Sequence, residues 1–422
     1  MVGESGASDG VADQDIEVSV VMPCLNEAET LGTCIEKALR SLKDQGVCGE
    51  VIVADNGSTD GSQQIAEGLG ARVVAVATRG YGAALMGGFA AGRGKYFIMG
   101  DSDDSYNFGE IPKFVRKLRE GNDFVVGCRL PRGGGQILPG AMPFLNQSLG
   151  TPVLTALSRT FFGTKVIDIN CGMRGLTREA CQRLNLQTTG MEFASEMIVK
   201  AAMLRLKTAE VPITLHPDGR TKPPHLRPWR DGWRHLRFML LFSPRWLFLF
   251  PGLVLFLAGG SVLGLLAFGP FPIGRVTFNT NTQLIAAMTL LAGFQLMTLG
   301  VFAKSFAVQQ GLMPGGRLDS WARLLRLEAG IIFGLFLFAV GGGLIGRAVW
   351  LWRSVDFGPA DDLPVIQLLI PAATFVLLGI QMISAGFFLG VIQLGRHPRD
   401  EVQRTGDETA DRGDDGTSAG GS

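Results

Sequence analysis

Two patterns of apolar residues divide the chain. Through roughly its first 240 residues, short β-branched runs alternate with stretches of helical spacing. The runs "EVSVVMP" (17–23), "GEVIVADNGS" (49–58), "ARVVAVAT" (71–78), "KYFIMG" (95–100) and "DFVVGCR" (123–129) predict five strands. Between them, "NEAETLGTCIEKALRSL" (26–42) places Leu31, Ile35, Ala38 and Leu42 on one helical face. "TDGSQQIAEGLG" (59–70), "YGAALMGGFAAG" (81–92) and "NFGEIPKFVRKLRE" (107–120) predict three more helices. Strand–helix alternation of this period predicts a doubly wound α/β domain with a mostly parallel sheet. Such sheets bind ligands beyond the carboxyl ends of their strands.

From Trp246 onward the alternation stops. Four long apolar runs follow, at 246–268, 283–308, 330–352 and 364–394. Each reaches the ~20 residues that a helix needs to cross a bilayer, so a domain of four transmembrane helices is predicted. Arg227, Arg230, Arg234, Arg237 and Arg245 precede the first run. Lys304, Arg317, Arg323 and Arg326 lie around the loop between the second and third, and Arg396 and Arg399 follow the last. The other two loops carry only Arg275, and Arg353 beside Asp356, Asp361 and Asp362. This bias predicts that the α/β domain and both termini are cytoplasmic. "RPWRDGWRHLRFMLLF" (227–242), with Trp229 and Trp233 as anchors, and "GRLDSWARLLRLE" (316–328) are predicted to rest on the inner leaflet. The expected organisation is a disordered N-terminus (1–16), a cytosolic domain (17–225), an interfacial segment (226–245), a membrane domain (246–395) and a disordered tail (396–422). The N-terminus shows no apolar targeting segment.

A net charge of +1 supplies no global basic field, so nucleic acid is not an expected partner. The six cysteines show no paired spacing and no clustered histidines, which predicts reduced thiols in a cytosolic domain, not a zinc site or disulfide framework. Local charge is more informative. "MGDSDDSYNFGE" (99–110) concentrates Asp101, Asp103 and Asp104 at the end of the fourth strand. Asn26 and Glu27 follow the first strand and Asp55 ends the second, on the same predicted edge. Clustered carboxylates repel unless a cation or hydrogen-bond donors meet them. Hard oxygen ligands suit Mg²⁺ or Mn²⁺, which keep waters and bridge to substrate phosphates. The plainer alternative is an acidic turn that caps the next helix.

The stretches "VSVVMPCLNEAETL", "VIVADNGSTDGS", "RGYGAALMGGFAAGRGKYFIMGDSDDSY" and "VVGCR" resemble the family 2 glycosyltransferases of the A-type, Rossmann-like fold, in order and spacing across 17–216. Within that family the chain is most similar to the dolichyl- and polyprenyl-phosphate sugar synthases, through "DINCGMRGLTREA" (168–180), "EFASEM" (192–197) and "DGRTKP" (218–223). The resemblance implies a nucleoside diphosphate sugar donor of the UDP-glucose or GDP-mannose type, a polyprenyl phosphate acceptor, a single inverting displacement, and Mg²⁺ or Mn²⁺. It implies that Pro23, Asn26, Glu27 and Asp55 frame the nucleoside. Arg79, Gly80 and Gly82 would line the base and diphosphate. Asp101 and Asp103 would hold the metal, with Ser105 as third ligand where the family often has Gln. A homo-oligomer is compatible with it.

A lipid phosphate monoester carries about −1.5 to −2 charge near neutrality, so it needs no strong general base. The site needs cations that hold two anions together. Arg129, Arg174, Arg220 and Lys222 are the candidates, the last three for the acceptor phosphate. Asp103, Arg129 and Glu196 are the candidates for the reacting centre. Each has a structural alternative: a strand end for Arg129, an Arg174–Glu196 ion pair, and the charge bias near the membrane for Arg220 and Lys222. Two other functions compete. A processive polysaccharide synthase would carry Gln-x-x-Arg-Trp, but Phe242 stands where the Gln is needed before Arg245-Trp246. A non-catalytic nucleotide-sugar-sensing membrane scaffold would not need the full carboxylate set.

Overall fold

The structure, a computed structural model, describes residues 16–144, 146–221, 228–273, 275–313, 327–359 and 365–394. The chain forms two compact units that meet in sequence at Ser243 and Pro244.

In the first unit, β1 (Val18–Cys24), β2 (Gly49–Asp55), β3 (Arg72–Ala75), β4 (Tyr96–Met99), β5 (Phe124–Cys128), β7 (Arg174–Thr177) and β8 (Thr208–Pro212) build one sheet in the order β3-β2-β1-β4-β7-β5-β8. All neighbours run parallel except β7, which is antiparallel to both β4 and β5. The two-residue strands β6 (Gln136–Ile137) and β9 (Thr214–Leu215) pair separately. β1 reads as a continuous apolar run because both of its faces are covered, as parallel strands require. Val18, Val20, Ile98, Phe124 and Val125 are fully buried there.

The helices are α1 (Leu31–Asp44), α2 (Ser62–Gly68), α3 (Tyr81–Ala91), α4 (Ile111–Arg119), α5 (Thr151–Phe162), α6 (Arg178–Leu184), α7 (Phe193–Met203) and α8 (Pro228–Leu241). α1 starts later than its periodicity predicts. Asn26 adopts a left-handed φ of 60°, and Thr30 Oγ1 donates to the Ser102 carbonyl at 2.7 Å, so 26–30 is a loop tied to a neighbouring strand end. The segment expected to lie along the membrane surface forms α8. Its His235, Phe238 and Met239 are buried, and His235 Nδ1 meets Ser195 Oγ of α7 at 2.8 Å. Trp233 and Leu241 remain exposed.

The second unit contains helices Phe250–Leu266, Thr280–Gln309, Leu327–Arg353 and Val365–Leu394. Four stretches, Arg245–Leu266, Thr280–Gln309, Glu328–Arg353 and Val365–Ile392, are long and apolar enough to cross a membrane. Leu290, Phe294, Leu378, Met382 and Leu389 are buried among them. Small residues allow close backbone approach: a Cβ on Gly259 would meet Leu290 N at 2.5 Å. Most of the 316–328 segment, read as a surface helix, lies outside the described residues, as do 1–15 and 395–422.

Candidate active site

Register builds the site. Cys24 pairs with Asp55, so β1 and β2 end together, and Val21 pairs with Met99, so β4 stops beside β1 three residues earlier and leads into its loop at the same side. The loops at 25–30, 56–61 and 100–106 therefore share one edge of the sheet. β7 begins at Arg174, opposite Met99. Because β7 runs backwards, the 168–173 segment that leads into it arrives at this same edge.

The first two loops clamp one another. Asn26 Oδ1 accepts from Thr59 N at 2.8 Å, and the Asn26 backbone N–H donates to Ser58 Oγ at 2.9 Å. Asp55 accepts from Gly57 N (3.0 Å), Ser58 N (3.1 Å) and Gln63 Nε2 (2.6 Å). Burial would raise the Asp55 carboxyl, but the Ser58 side chain, Gln63 and the Ser58 and Gly57 amides hold it below its usual range. The Pro23 carbonyl accepts from Ser102 Oγ at 2.7 Å. Asn56, which the sequence reading passed over, donates to the Val76 and Thr78 carbonyls and accepts from Gly80 N, shaping the 76–80 loop.

The three clustered aspartates turn three ways. Asp104, at a left-handed φ of 60°, pairs with Lys37 of α1 at 2.7 Å. Asp103 Oδ1 accepts from Ser105 N (3.1 Å) and Ser105 Oγ (2.5 Å), while its Oδ2 meets Arg220 Nη2 at 3.0 Å. Asp101 takes a hydrogen bond from the Tyr81 hydroxyl. Its Oδ1 is buried with no hydrogen-bond partner. Burial, and then the charge of Asp103, push the Asp101 carboxyl up to about 7. An orphaned carboxylate oxygen beside a second carboxylate fits a hard divalent cation that draws its other ligands from water and phosphate. The Ser105 hydroxyl donates to Asp103, which ties it to the carboxylate pair. Among the described residues, no group of three or more His, Cys, Asp or Glu side chains could hold a metal by itself.

The cations are distributed otherwise than their charge alone suggests. Arg129 is locked to Asp168, Nε to Oδ2 at 2.7 Å and Nη2 to Oδ1 at 2.8 Å, and its Nη1 lies 3.4 Å from the Tyr106 hydroxyl. That hydroxyl also accepts from Gly172 N at 2.8 Å. Arg174 is 0% exposed and donates to the carbonyls of Cys171 (2.9 Å), Ala194 (2.6 Å) and Ile169 (2.9 Å). Its guanidinium is spent inside the fold and cannot reach an acceptor phosphate. Arg174 and Glu196 do not pair. Glu196 binds Lys200 at 2.8 Å and accepts from Gln187 N, Thr188 N and Thr188 Oγ1, so it anchors a loop and presents no free carboxylate to a reacting group.

That loop explains two glycines. The Thr189 carbonyl accepts from Gly82 N (2.9 Å) and Ala83 N (3.2 Å) at the start of α3. A Cβ on Gly80, which has a φ of +137°, would strike the Thr189 carbonyl, and one on Gly82 would strike the Thr188 carbonyl. The backbone that approaches Gly80 and Gly82 is thus the chain's own, where a diphosphate was expected. Arg79 is exposed beside them. Arg220 lies at the carboxylates and not apart from them: Nη1 is 2.8 Å from Glu27 Oε1. Lys222 lies outside the described residues. Asp168 stood in plain view in "DINCGMRG", but nothing local to it announces a partner 39 positions away.

Comparison with known proteins adds to this geometry. The chain matches the glycosyl transferase family 2 profile over residues 19–184 and the profile of the family 2 C-terminal transmembrane region over 301–393. It is 38% identical over 385 residues to the low-salt glycan biosynthesis hexosyltransferase Agl6 of Haloferax volcanii, covering 90% of each chain. A dolichyl-phosphate hexose transferase of the same organism is 31% identical over 198 residues, which is 47% of this chain and 82% of the relative. Glucosyl-3-phosphoglycerate synthase from Mycobacterium tuberculosis, solved with Mn²⁺, UDP and glucosyl-3-phosphoglycerate, aligns with a TM-score of 0.43 at 26% identity, over 54% of this chain and 79% of that one.

Proposed function

The chain belongs to the family 2 glycosyltransferases, and on that premise we propose that this integral membrane enzyme moves one hexosyl group from a nucleoside diphosphate sugar to a polyprenyl phosphate at the cytoplasmic face of the membrane. The observation that carries the proposal is the Asp101–Asp103 pair, with one buried oxygen unpartnered, in a chain that continues into four membrane-length helices. The names of the two Haloferax relatives support the hexosyl group and the lipid phosphate. The Lys and Arg bias around the spans supports the cytoplasmic placement.

Asp101 and Asp103 would hold Mg²⁺ or Mn²⁺, which when bound neutralises charge on a departing diphosphate. Ser105 keeps Asp103 oriented through its hydroxyl and amide. Tyr81 does the same for Asp101. Arg79, exposed at the entrance to α3, meets the anionic donor. Arg220, and Lys222 two positions on, serve a phosphate group, for which a guanidinium offers bidentate donation. Arg129 and Arg174 hold the 168–174 segment in place and do not touch substrate. The attacking phosphate oxygen is already ionised, so no side chain need take a proton from it. One in-line displacement inverts the anomeric centre. Phe242, in place of a Gln before Arg245-Trp246, favours one transfer over polymerisation.

The test uses the full-length protein in detergent, with labelled UDP-glucose or GDP-mannose and a short polyprenyl phosphate. One lipid-linked sugar should form, sensitive to chelator. Asp103→Asn should cut turnover at least about a hundredfold, or ~2.7 kcal/mol of barrier, with an unchanged melting temperature. A polymer, or binding without turnover, would overturn the proposal.

A further inference from the structure

The two buried arginines, Arg129 and Arg174, use every guanidinium nitrogen the fold can reach. Arg129 bonds through Nε, Nη1 and Nη2, and so does Arg174. Arg220 is built differently. Its side chain is 12% exposed, and its two terminal nitrogens meet three carboxylates: Glu27 at 2.8 Å, Asp103 at 3.0 Å and Asp218 at 3.2 Å. Yet its Nε is buried with no acceptor. Two positions from Asp103, Asp101 keeps a buried oxygen without a donor. An orphaned donor and an orphaned acceptor within one charged cluster mark an arrangement that further ligands would complete.

The segment carrying Arg220 is fastened on both sides of that residue. Gly219 N donates to the Asp103 carbonyl at 3.0 Å and His216 N to the Ser105 carbonyl at 2.9 Å. Thr221 donates through its amide and its hydroxyl to the Glu29 carboxylate, each at 2.9 Å. The chain thus lies along the aspartate turn and delivers one positive charge onto Asp103. A divalent ion shared by Asp101 and Asp103 would contend for the same carboxylate, because two cations close together repel.

We propose that Arg220 is a built-in competitor for the divalent ion: it neutralises Asp103 and Glu27 until ion and diphosphate arrive, and the displaced guanidinium then grips a phosphate oxygen of the substrate. This rests on the metal-dependent transfer proposed above. It assigns Arg220 a double duty, as counter-ion before binding and substrate clamp after. It also orders the reaction, since the clamp becomes free only once the carboxylates have another cation. The phosphate oxygen belongs either to the diphosphate or to the lipid phosphate, which separate arms of the test distinguish.

The test titrates full-length protein in detergent with Mn²⁺ alone, following the paramagnetic resonance signal of the free ion. Arg220→Ala should bind Mn²⁺ about tenfold more tightly than wild type, although it turns over more slowly; loss of a hydrogen bond to a charged group is of that order. Arg220→Lys should fall between, since one ammonium cannot span Glu27 and Asp103 as a fork does. Thr221→Ala removes the hydroxyl's bond to Glu29 without removing a partner of Asp101, Asp103 or Glu27, and should shift Mn²⁺ affinity the same way, by about two- to threefold. It decides the matter should Arg220→Ala fail to fold. Unchanged or weaker Mn²⁺ binding in the folded variants would overturn the inference. At saturating Mn²⁺, Arg220→Ala should lose about tenfold in affinity for either UDP or a short polyprenyl phosphate, and the one weakened identifies the clamped group. Loss for neither overturns the clamp. If wild type binds no Mn²⁺ even with UDP, the metal reading itself fails and this inference with it. If wild type binds and the variants match it, only this inference fails.

Discussion

Arg129 and Asp168 form a two-pronged ion pair sealed from water, with side chains 8% and 0% exposed and bonds of 2.7 and 2.8 Å. Glu210 supports the same segment by accepting from the amides of Ile167 (2.8 Å) and Asp168 (3.1 Å). Burial alone would raise the Asp168 carboxyl, and the Arg129 guanidinium overcomes that and holds it low. Asp168→Ala should therefore leave a buried charge without its partner and cost about 3–5 kcal/mol. In a unit of this size that is a fall of about 6–20 °C in melting temperature. The double variant Arg129→Met/Asp168→Leu should recover most of it. A single variant that melts like wild type would show that the pair does not hold the segment.

Glu196 offers a choice between chemistry and support. It is 1% exposed, paired with Lys200 and bonded to the 187–188 amides, so Glu196→Gln should lower the melting temperature by about 6–12 °C, equivalent to about 3 kcal/mol. Lys200→Met in the same chain should restore part of that. Were Glu196 instead a reacting group, Glu196→Gln would abolish turnover and leave the melt untouched. Melting curves and initial rates on both variants separate these outcomes.

Glu50 clamps the opposite edge of the sheet. It accepts from Ser19 Oγ (2.8 Å), Arg93 N (2.8 Å) and Arg72 Nη2 (2.8 Å). Burial would raise its carboxyl, but the Arg93 amide and the Arg72, Ser19 and Arg93 side chains bring it down to about 2. The unfolded chain takes up this proton near 4.5 and the folded one only near 2, so the contribution is complete above about 4.5 and is lost as pH falls toward 2. Arg72 and Arg93 are substantially exposed, and solvent screening leaves about 1–2 kcal/mol. Glu50→Gln should melt below wild type at pH 6, and the two curves should converge toward pH 2. A gap that persists at pH 2 would point to lost packing instead of lost charge.

The proposed orientation is open to labelling. Asn279 precedes the 30-residue helix Thr280–Gln309, and Gln310 follows it. A membrane-impermeant maleimide added to intact cells should modify a cysteine introduced at Asn279 and spare one at Gln310. Modification at Gln310 alone would reverse the topology.

What the sequence determined by itself is local in origin. The apolar runs at 17–23, 49–58 and 95–100 contain the strands β1, β2 and β4 because side-chain period and apolarity act within a few residues. The four spans follow from length and apolarity alone. The gathering of Asn26, Asp55 and Asp101 at one edge follows from parallel strands that start in register. Tertiary structure alone decided what each charge does. An arginine reads the same in sequence whether it will grip a phosphate, three carbonyls as Arg174 does, or a carboxylate 39 residues away as Arg129 does. The reversed strand β7, inserted between β4 and β5, begins at Arg174, and the segment leading into it brings Asp168 to the same edge; both are buried. Arg220 reaches Asp103 across 117 positions and Glu27 across 193. Such pairings are set by how the whole chain returns on itself, since burial removes the competing water and lets a distant carboxylate capture a charge that near neighbours leave unclaimed.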